Sequence, residues 1–162
     1  MKQTVMIIAA LFALAAFADD PKQCPMHAAH MAADQRGDKV MGFSHETTKH
    51  SFKVADDGGA IEVRALRADD EASIRAIRTH LQSIAKSFAA GDFAKPEEIH
   101  GRAPSGVEVM IARKASIQYK YEELENGGRV RISSKDAAAV EAVHRFLKFQ
   151  IDEHRTGEEA AN

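Results

Sequence analysis

The stretch His50-Ser-Phe52-Lys-Val54-Ala-Asp56-Asp57-Gly58-Gly59-Ala-Ile61-Glu-Val63-Arg-Ala65 decides the fold. His50, Phe52 and Val54 alternate with polar residues at period two, as a half-buried strand does, and Ile61, Val63 and Ala65 repeat the pattern. Between them Asp56-Asp57-Gly58-Gly59 is turn chemistry, because glycine adopts positive φ at no steric cost. The stretch therefore predicts a β-hairpin. Working outward, Ile74, Ile77, Leu81, Ile84 and Phe88 recur at three- and four-residue steps, the stripe of an amphipathic helix. Asp69 or Asp70 suits its start and Gly91 its end.

The same order returns later in the chain. Ile117-Gln-Tyr119-Lys-Tyr121 alternates, Glu125-Asn126-Gly127-Gly128 turns, and Val130-Arg-Ile132 alternates again. A second helix carries Val140, Val143, Leu147 and Ile151 on one face, with Ser133 before Asp136 at its start and Gly157 at its end. Leu81 and Leu147 occupy corresponding places. Two ββα units predict an α+β domain with a four-stranded antiparallel sheet and two helices packed on one face, since each hairpin alone would be marginal. The linker 92–116 contains Pro96, His100 and Pro104-Ser-Gly106, and its part 107–114 reads as a short helix in preference to a strand. The expected organisation is a single domain over 41–157, preceded by a flexible tail over 19–40 with a helical turn or two near Met26 to Ala33, and followed by a disordered end over 158–162.

The N-terminus has the features of an export signal. Met1-Lys2 gives a positive start, and Val5 to Phe17 is an uncharged apolar run of 13 residues. That run is short for a membrane-spanning helix. Ala16-Phe17-Ala18 fits an A-x-A cleavage site, so residues 1–18 read as a signal peptide and a mature chain is expected from Asp19. An uncleaved anchor is the alternative. A lipoprotein fits less well, because Pro21-Lys22-Gln23 precedes Cys24. The expectation is a periplasmic or secreted protein with no stable membrane span after cleavage. With a formal net charge of −2 and few aromatics, the chain has no basic, aromatic-interleaved surface of the kind nucleic acid requires.

Cys24 is the one cysteine, so an internal disulfide is excluded. A free thiol is awkward in an oxidising compartment. It stands in Cys24-Pro-Met26-His27-Ala-Ala-His30-Met31, which collects a thiol, two thioethers and two imidazoles. Thiolate and thioether donors favour Cu(I), and imidazole serves Cu(II), Zn and Ni. On a helix, Met26 and His30 would share a face, as would His27 and Met31. The competing interpretation is an Ala-rich exported tail that happens to contain Met and His. A second donor set lies in the domain. His50 is in phase with Phe52 and Val54, His80 borders the first helix's stripe, and His100 and Met110 flank the Pro-Ser-Gly turn. Convergence of His50, His80, His100 and Met110 beneath the sheet would make a copper-like site, whereas a histidine on an apolar face is more often a core residue. His45 and His50 bracket a polar loop that reads as a metal mouth or as a solvated loop. His144 and His154, beside Glu141, Asp152 and Glu153, read as surface pairing.

No nucleophile elbow, phosphate loop or rigid Cys–His pair is present, so an enzyme is not expected. Met41-Gly-Phe-Ser-His-Glu-Thr-Thr-Lys-His-Ser-Phe52, Asp57-Gly-Gly-Ala-Ile-Glu-Val63, His80-Leu81, Gly91-Asp92-Phe93, Ile99-His100 and Val143 to Ile151 together resemble a group of small exported bacterial proteins of unknown function. Lys49 stands where that pattern has a first histidine, and the resemblance implies no particular activity. The functional expectation is an exported soft-metal protein, with copper as the ion. The alternative is a metal-free interaction module of the cell envelope, meeting an envelope protein through the sheet's free face or an edge strand. Phe146, Phe149 and the Val/Leu stripe give the second helix a wide apolar face that reads as core, or as a homodimer contact if one edge of it stays exposed.

Overall fold

The computed structural model describes residues 25–154, 156, 159 and 160, with side chains for 31–154 and 156. In chain order its elements are α1 (Pro25–Met41), β1 (Thr48–Ala55), β2 (Gly58–Ala65), α2 (Glu71–Ala90), α3 (Ala94–His100), α4 (Val107–Ala112), β3 (Ile117–Leu124), β4 (Gly127–Ser134), α5 (Ala137–His154) and the two-residue β5 (Glu159–Ala160). Both hairpins and both long helices form where the periodicity predicts them. The four long strands are antiparallel and lie in the order β3-β4-β2-β1, and β5 adds in parallel beside Lys53 and Val54 of β1.

Local chemistry sets the helix ends. The Asp70 carboxylate accepts from the Ser73 amide at 3.0 Å, which satisfies one of the free donors of α2's first turn. Gly91 closes α2 in the left-handed region at φ 84°, with its amide on Phe88 O and the Asp92 amide on Ser87 O. At α5 the capping residue is Asp136, not Ser133: its carboxylate accepts from the Ala138 and Ala139 amides. Gly157, expected to end α5, lies outside the described residues. Within the linker, α3 and α4 are both helical, which matches the preference for helix over 107–114.

Phe52, Ile61, Val63, Val130 and Ile132 face the helices from the sheet, and Ile77, Leu81, Phe88, Val143, Phe146 and Leu147 meet them from α2 and α5. Each fully buried side chain of this size contributes about 1.5–3 kcal/mol. The packing is crossed between the two units. α2, from the first unit, lies chiefly over β4 and β3, and α5, from the second, lies over β1 and β2. The hairpin glycines receive the helices: a Cβ at Gly59 would stand 2.3 Å from Leu147 Cδ1, and one at Gly128 would stand 3.2 Å from Leu81 Cδ1. The corresponding leucines thus sit over each other's hairpins.

α1 departs from the expected flexible tail. Residues 25–41 form a helix of 17 residues, and its C-terminal part is docked: Arg36 Nε donates to Ile99 O at 2.9 Å, and Met41 is buried. Alanine, lysine and glutamine are strong helix formers, and the docking on α3 supplies the tertiary support that an isolated helix of this length lacks.

Candidate functional site

His50 projects from β1 in phase with Phe52, as expected of a strand residue facing the helices. His80 projects from α2 one turn before Ile84, and His100 is the last residue of α3, just before the left-handed Gly101. His154 ends α5, three residues beyond Ile151 on the same stripe. All four line a cavity of about 50 Å³ whose other walls are mostly apolar, among them Phe52, Ile61, Leu81, Phe88 and Phe146. The His154 ring is packed between two others, 5.1 Å from the His50 centroid and 5.2 Å from that of His100. Phe43 connects the rest, 6.0 Å from His50 and 5.6 Å from His80.

Burial keeps these imidazoles neutral. It pushes His50 down to about 4 and His80 to about 4, the latter aided by the nearby Lys95 charge. It pushes His154 down to about 3, reinforced by repulsion from His50 and His100. His100 is lowered as well, burial outweighing the opposing influence of Gln150 and Glu153. Neutral rings offer lone pairs at physiological pH. Among the described residues His50, His80 and His154 have no side-chain hydrogen bond to satisfy those atoms. A buried polar atom left without a partner costs about 1–3 kcal/mol, and among these four rings that atom is His100 Nδ1.

His100 has the most defined chemistry. Its Nε2 lies 2.9 Å from Oε1 of the buried Gln150. An amide oxygen only accepts, so Nε2 carries the proton and Nδ1 the lone pair. Nδ1 is buried with no hydrogen-bond partner, and it faces Oε2 of Glu153 at 3.5 Å. Two acceptor atoms thus stand 3.5 Å apart. Glu153 is held in that pose by Arg102, whose Nη2 donates to Oε1 at 2.7 Å, and Arg102 in turn stacks over Phe149.

The cluster opens outward. A small pocket of about 10 Å³ lined by Asp34, His45, His50, His100, Glu153 and His154 adjoins an open cleft of about 450 Å³ lined by Asp34, His45, Thr48, Lys49, His50, Glu153, His154 and Thr156. At its rim Asp38 Oδ1 accepts from His45 Nδ1 at 2.9 Å and from the His45 amide at 2.8 Å. That hydrogen bond raises the His45 pKa.

Of the sequence-predicted donors, His50, His80 and His100 come together and Met110 does not. Met110 is wholly buried where α4 packs in the core and lines neither the cavity nor the cleft. Cys24 lies outside the described residues. Met26, His27 and His30 lie on α1 with side chains outside the description, and Met31 is exposed. His154 and Glu153 are corrections: they form the cavity wall and mouth, not a surface pair. His144 is likewise committed to backbone, its Nε2 donating to Ala55 O at 2.8 Å. The signal for His154 was the continued spacing of Val140, Val143, Leu147 and Ile151. As the rings stand, no three His, Cys, Asp or Glu side chains among the described residues are gathered closely enough to hold a metal ion. The His100–Glu153 pair shares its small pocket with His154 and His50.

No family model, curated protein or solved structure matches this chain. Among the described residues no helix is long and apolar enough to cross a membrane.

Proposed function

We propose that this is an exported metal-binding protein whose ion sits at the mouth of the histidine cavity, between His100 Nδ1 and Glu153 Oε2, with His154 and His50 as further ligands and His80 behind them. The observation that carries this reading is the 3.5 Å separation of two acceptor atoms, one of them a buried, unpartnered imidazole nitrogen. Bonds of about 2.0–2.2 Å at a tetrahedral angle place neighbouring ligand atoms about 3.3–3.6 Å apart. The Gln150 carbonyl oxygen accepting from Nε2–H is the outer-shell contact that ligating histidines ordinarily have, and Arg102 plays the same orienting part for Glu153. Completing the set requires the His154 and His50 rings to turn about the bond to the ring, a torsion with a broad energy well.

Size supports an ion over an organic ligand. The pocket of about 10 Å³ that His50, His100, Glu153 and His154 share admits a single small ion. Nitrogen and carboxylate donors suit Cu(II), Zn(II) and Ni(II), and for equal donors copper binds tightest. Copper is therefore the ion proposed, with the Cys24 to Met31 donors as its capture segment.

The test is competitive titration of the chain from Asp19 with Cu(II) and Zn(II) against a chelator of known affinity. One copper per chain should survive replacement of Cys24, Met26, His27, His30 and Met31. Affinity should fall about 10–100-fold or more in His100→Ala and Glu153→Gln, both checked for native circular dichroism. Binding no tighter than that of an unrelated histidine-containing protein, or cavity variants with unchanged affinity, would overturn the reading.

A further inference from the structure

Among the described residues β3 has a neighbour on one side only, whereas the opposite edge of the sheet is partly covered by β5. β3 is a full edge strand of eight residues, paired to β4 from Ile117↔Ser134 to Leu124↔Gly127 without a bulge. The hairpin closes on the Leu124/Gly127 pair across two loop residues, so Leu124, Glu122, Lys120 and Gln118 bond inward to β4. Tyr119, Tyr121 and Glu123 turn their N–H and C=O groups to the open edge. Straight, unbulged edges of this length are templates for another strand, and proteins commonly blunt them with a charged residue. Lys120 has that position here.

Its neighbours give it a second meaning. Lys120 stands opposite Arg131 on β4, a like-charged cross-strand pair, and its nearest acid is Glu122 on its own strand at 3.2 Å. Glu122 stands opposite Arg129, which it binds at 2.6 Å. Consider a second copy of β3 laid antiparallel along this edge about a twofold axis. Side chains must keep to their own face, so the axis passes through a residue and not between two. An axis at Lys120 sets Lys120 against its copy, and one at Glu122 sets Glu122 against its copy. Both registers place like charges directly opposite. An axis at Tyr121 instead sets Lys120 against Glu122 twice over, and Tyr121 against Tyr121. It extends the row to Arg131, Lys120, Glu122, Arg129 across the junction, giving Lys120 an acidic partner opposite its basic one.

We infer that β3 is a self-association edge, and that the chain forms a twofold homodimer with a continuous sheet in the register centred on Tyr121. The arrangement is isologous and closes on itself, so it ends at two copies. Lys120, which would repel a generic strand, acts as the selector of register.

The test uses sedimentation velocity of the chain from Asp19 over a concentration series, with circular dichroism as the check of folding. The wild-type protein should dimerise. Lys120→Glu, which replaces the like-charged pair with Arg131 by an oppositely charged one and so preserves the fold, should weaken the dimer by about tenfold or more, because it creates two Glu–Glu oppositions per dimer. Glu122→Lys should do the same through two Lys–Lys oppositions. Mixed in equal amounts, the two variants should form a heterodimer. The glutamate introduced in one then faces the lysine introduced in the other, and the native Glu122 of the first faces the native Lys120 of the second. A wild-type protein that stays monomeric at every concentration, a dimer indifferent to Lys120→Glu, or folded variants that fail to combine on mixing would overturn the inference.

Discussion

Lowering the pH from 8 to 5 should destabilise this protein far more than its carboxylates explain. His50, His80 and His154 are neutral in the folded protein down to about 4, 4 and 3. In the unfolded chain the same rings titrate near 6.5. Between those limits the unfolded state binds protons that the folded state refuses, so stability present above about pH 6.5 is lost as the pH falls towards the folded values. At pH 5 the loss is about 2 kcal/mol per ring relative to pH 8, or about 6 kcal/mol for the three. That is a large share of the about 5–15 kcal/mol typical of whole domains. The carboxylates lowered by their hydrogen bonds and ion pairs, such as Asp57, Asp70, Glu122 and Asp136, start from ordinary carboxylate values and act below this window. His45, raised by Asp38, has the opposite sign: its contribution is complete below about 6.5 and disappears as the pH rises through its folded value. Urea denaturation in the presence of chelator is the assay. With a slope of about 2 kcal/mol per molar urea, the midpoint should fall by about 3 M between pH 8 and pH 5. His80→Gln should remove about a third of that change. A midpoint that moves by less than about 0.5 M would mean that the rings are protonated in the folded state, and would refute the neutral-cluster argument.

Two further outcomes test the fold that carries the site. Asp70→Ala removes the carboxylate that caps α2 and should cost about 1 kcal/mol, read as a lower thermal midpoint with unchanged metal stoichiometry. Gly106→Ala should cost about 2–4 kcal/mol in equilibrium denaturation. Gly106 has φ 87°, and its new Cβ would stand 2.2 Å from the Ala142 carbonyl oxygen of α5.

Local patterns made the hairpins, α2 and α5 readable in advance, because period two, period 3.6 and Gly-Gly turns are decided within a few residues. α1 was less readable. Its first half has no sustained apolar stripe, and its docking depends on Ile99 and the Arg36 hydrogen bond from a distant part of the chain. Part of the cavity was also visible: His50 in phase with Phe52, and His80 on the edge of a helical stripe, both had to face inward. His154 was obscured by the charges around it, although it continued the α5 stripe. Glu153 was invisible as a site residue, since its role depends on α3 bringing His100 to within 3.5 Å. Met110 was the opposite case, a donor type that the fold uses for packing alone. Which helix covers which hairpin is a long-range property that no local spacing encodes.

That exchange of helices ties the two halves together. A ββα segment cut at the 101–106 connection would leave each hairpin without its natural cover and each helix with its leucine exposed. Neither piece would be a small protein in its own right. Brought together, they would have every reason to reunite, and two copies of a single such piece would meet the same demands by embracing each other. The repeated halves therefore behave as a dimer written into one chain.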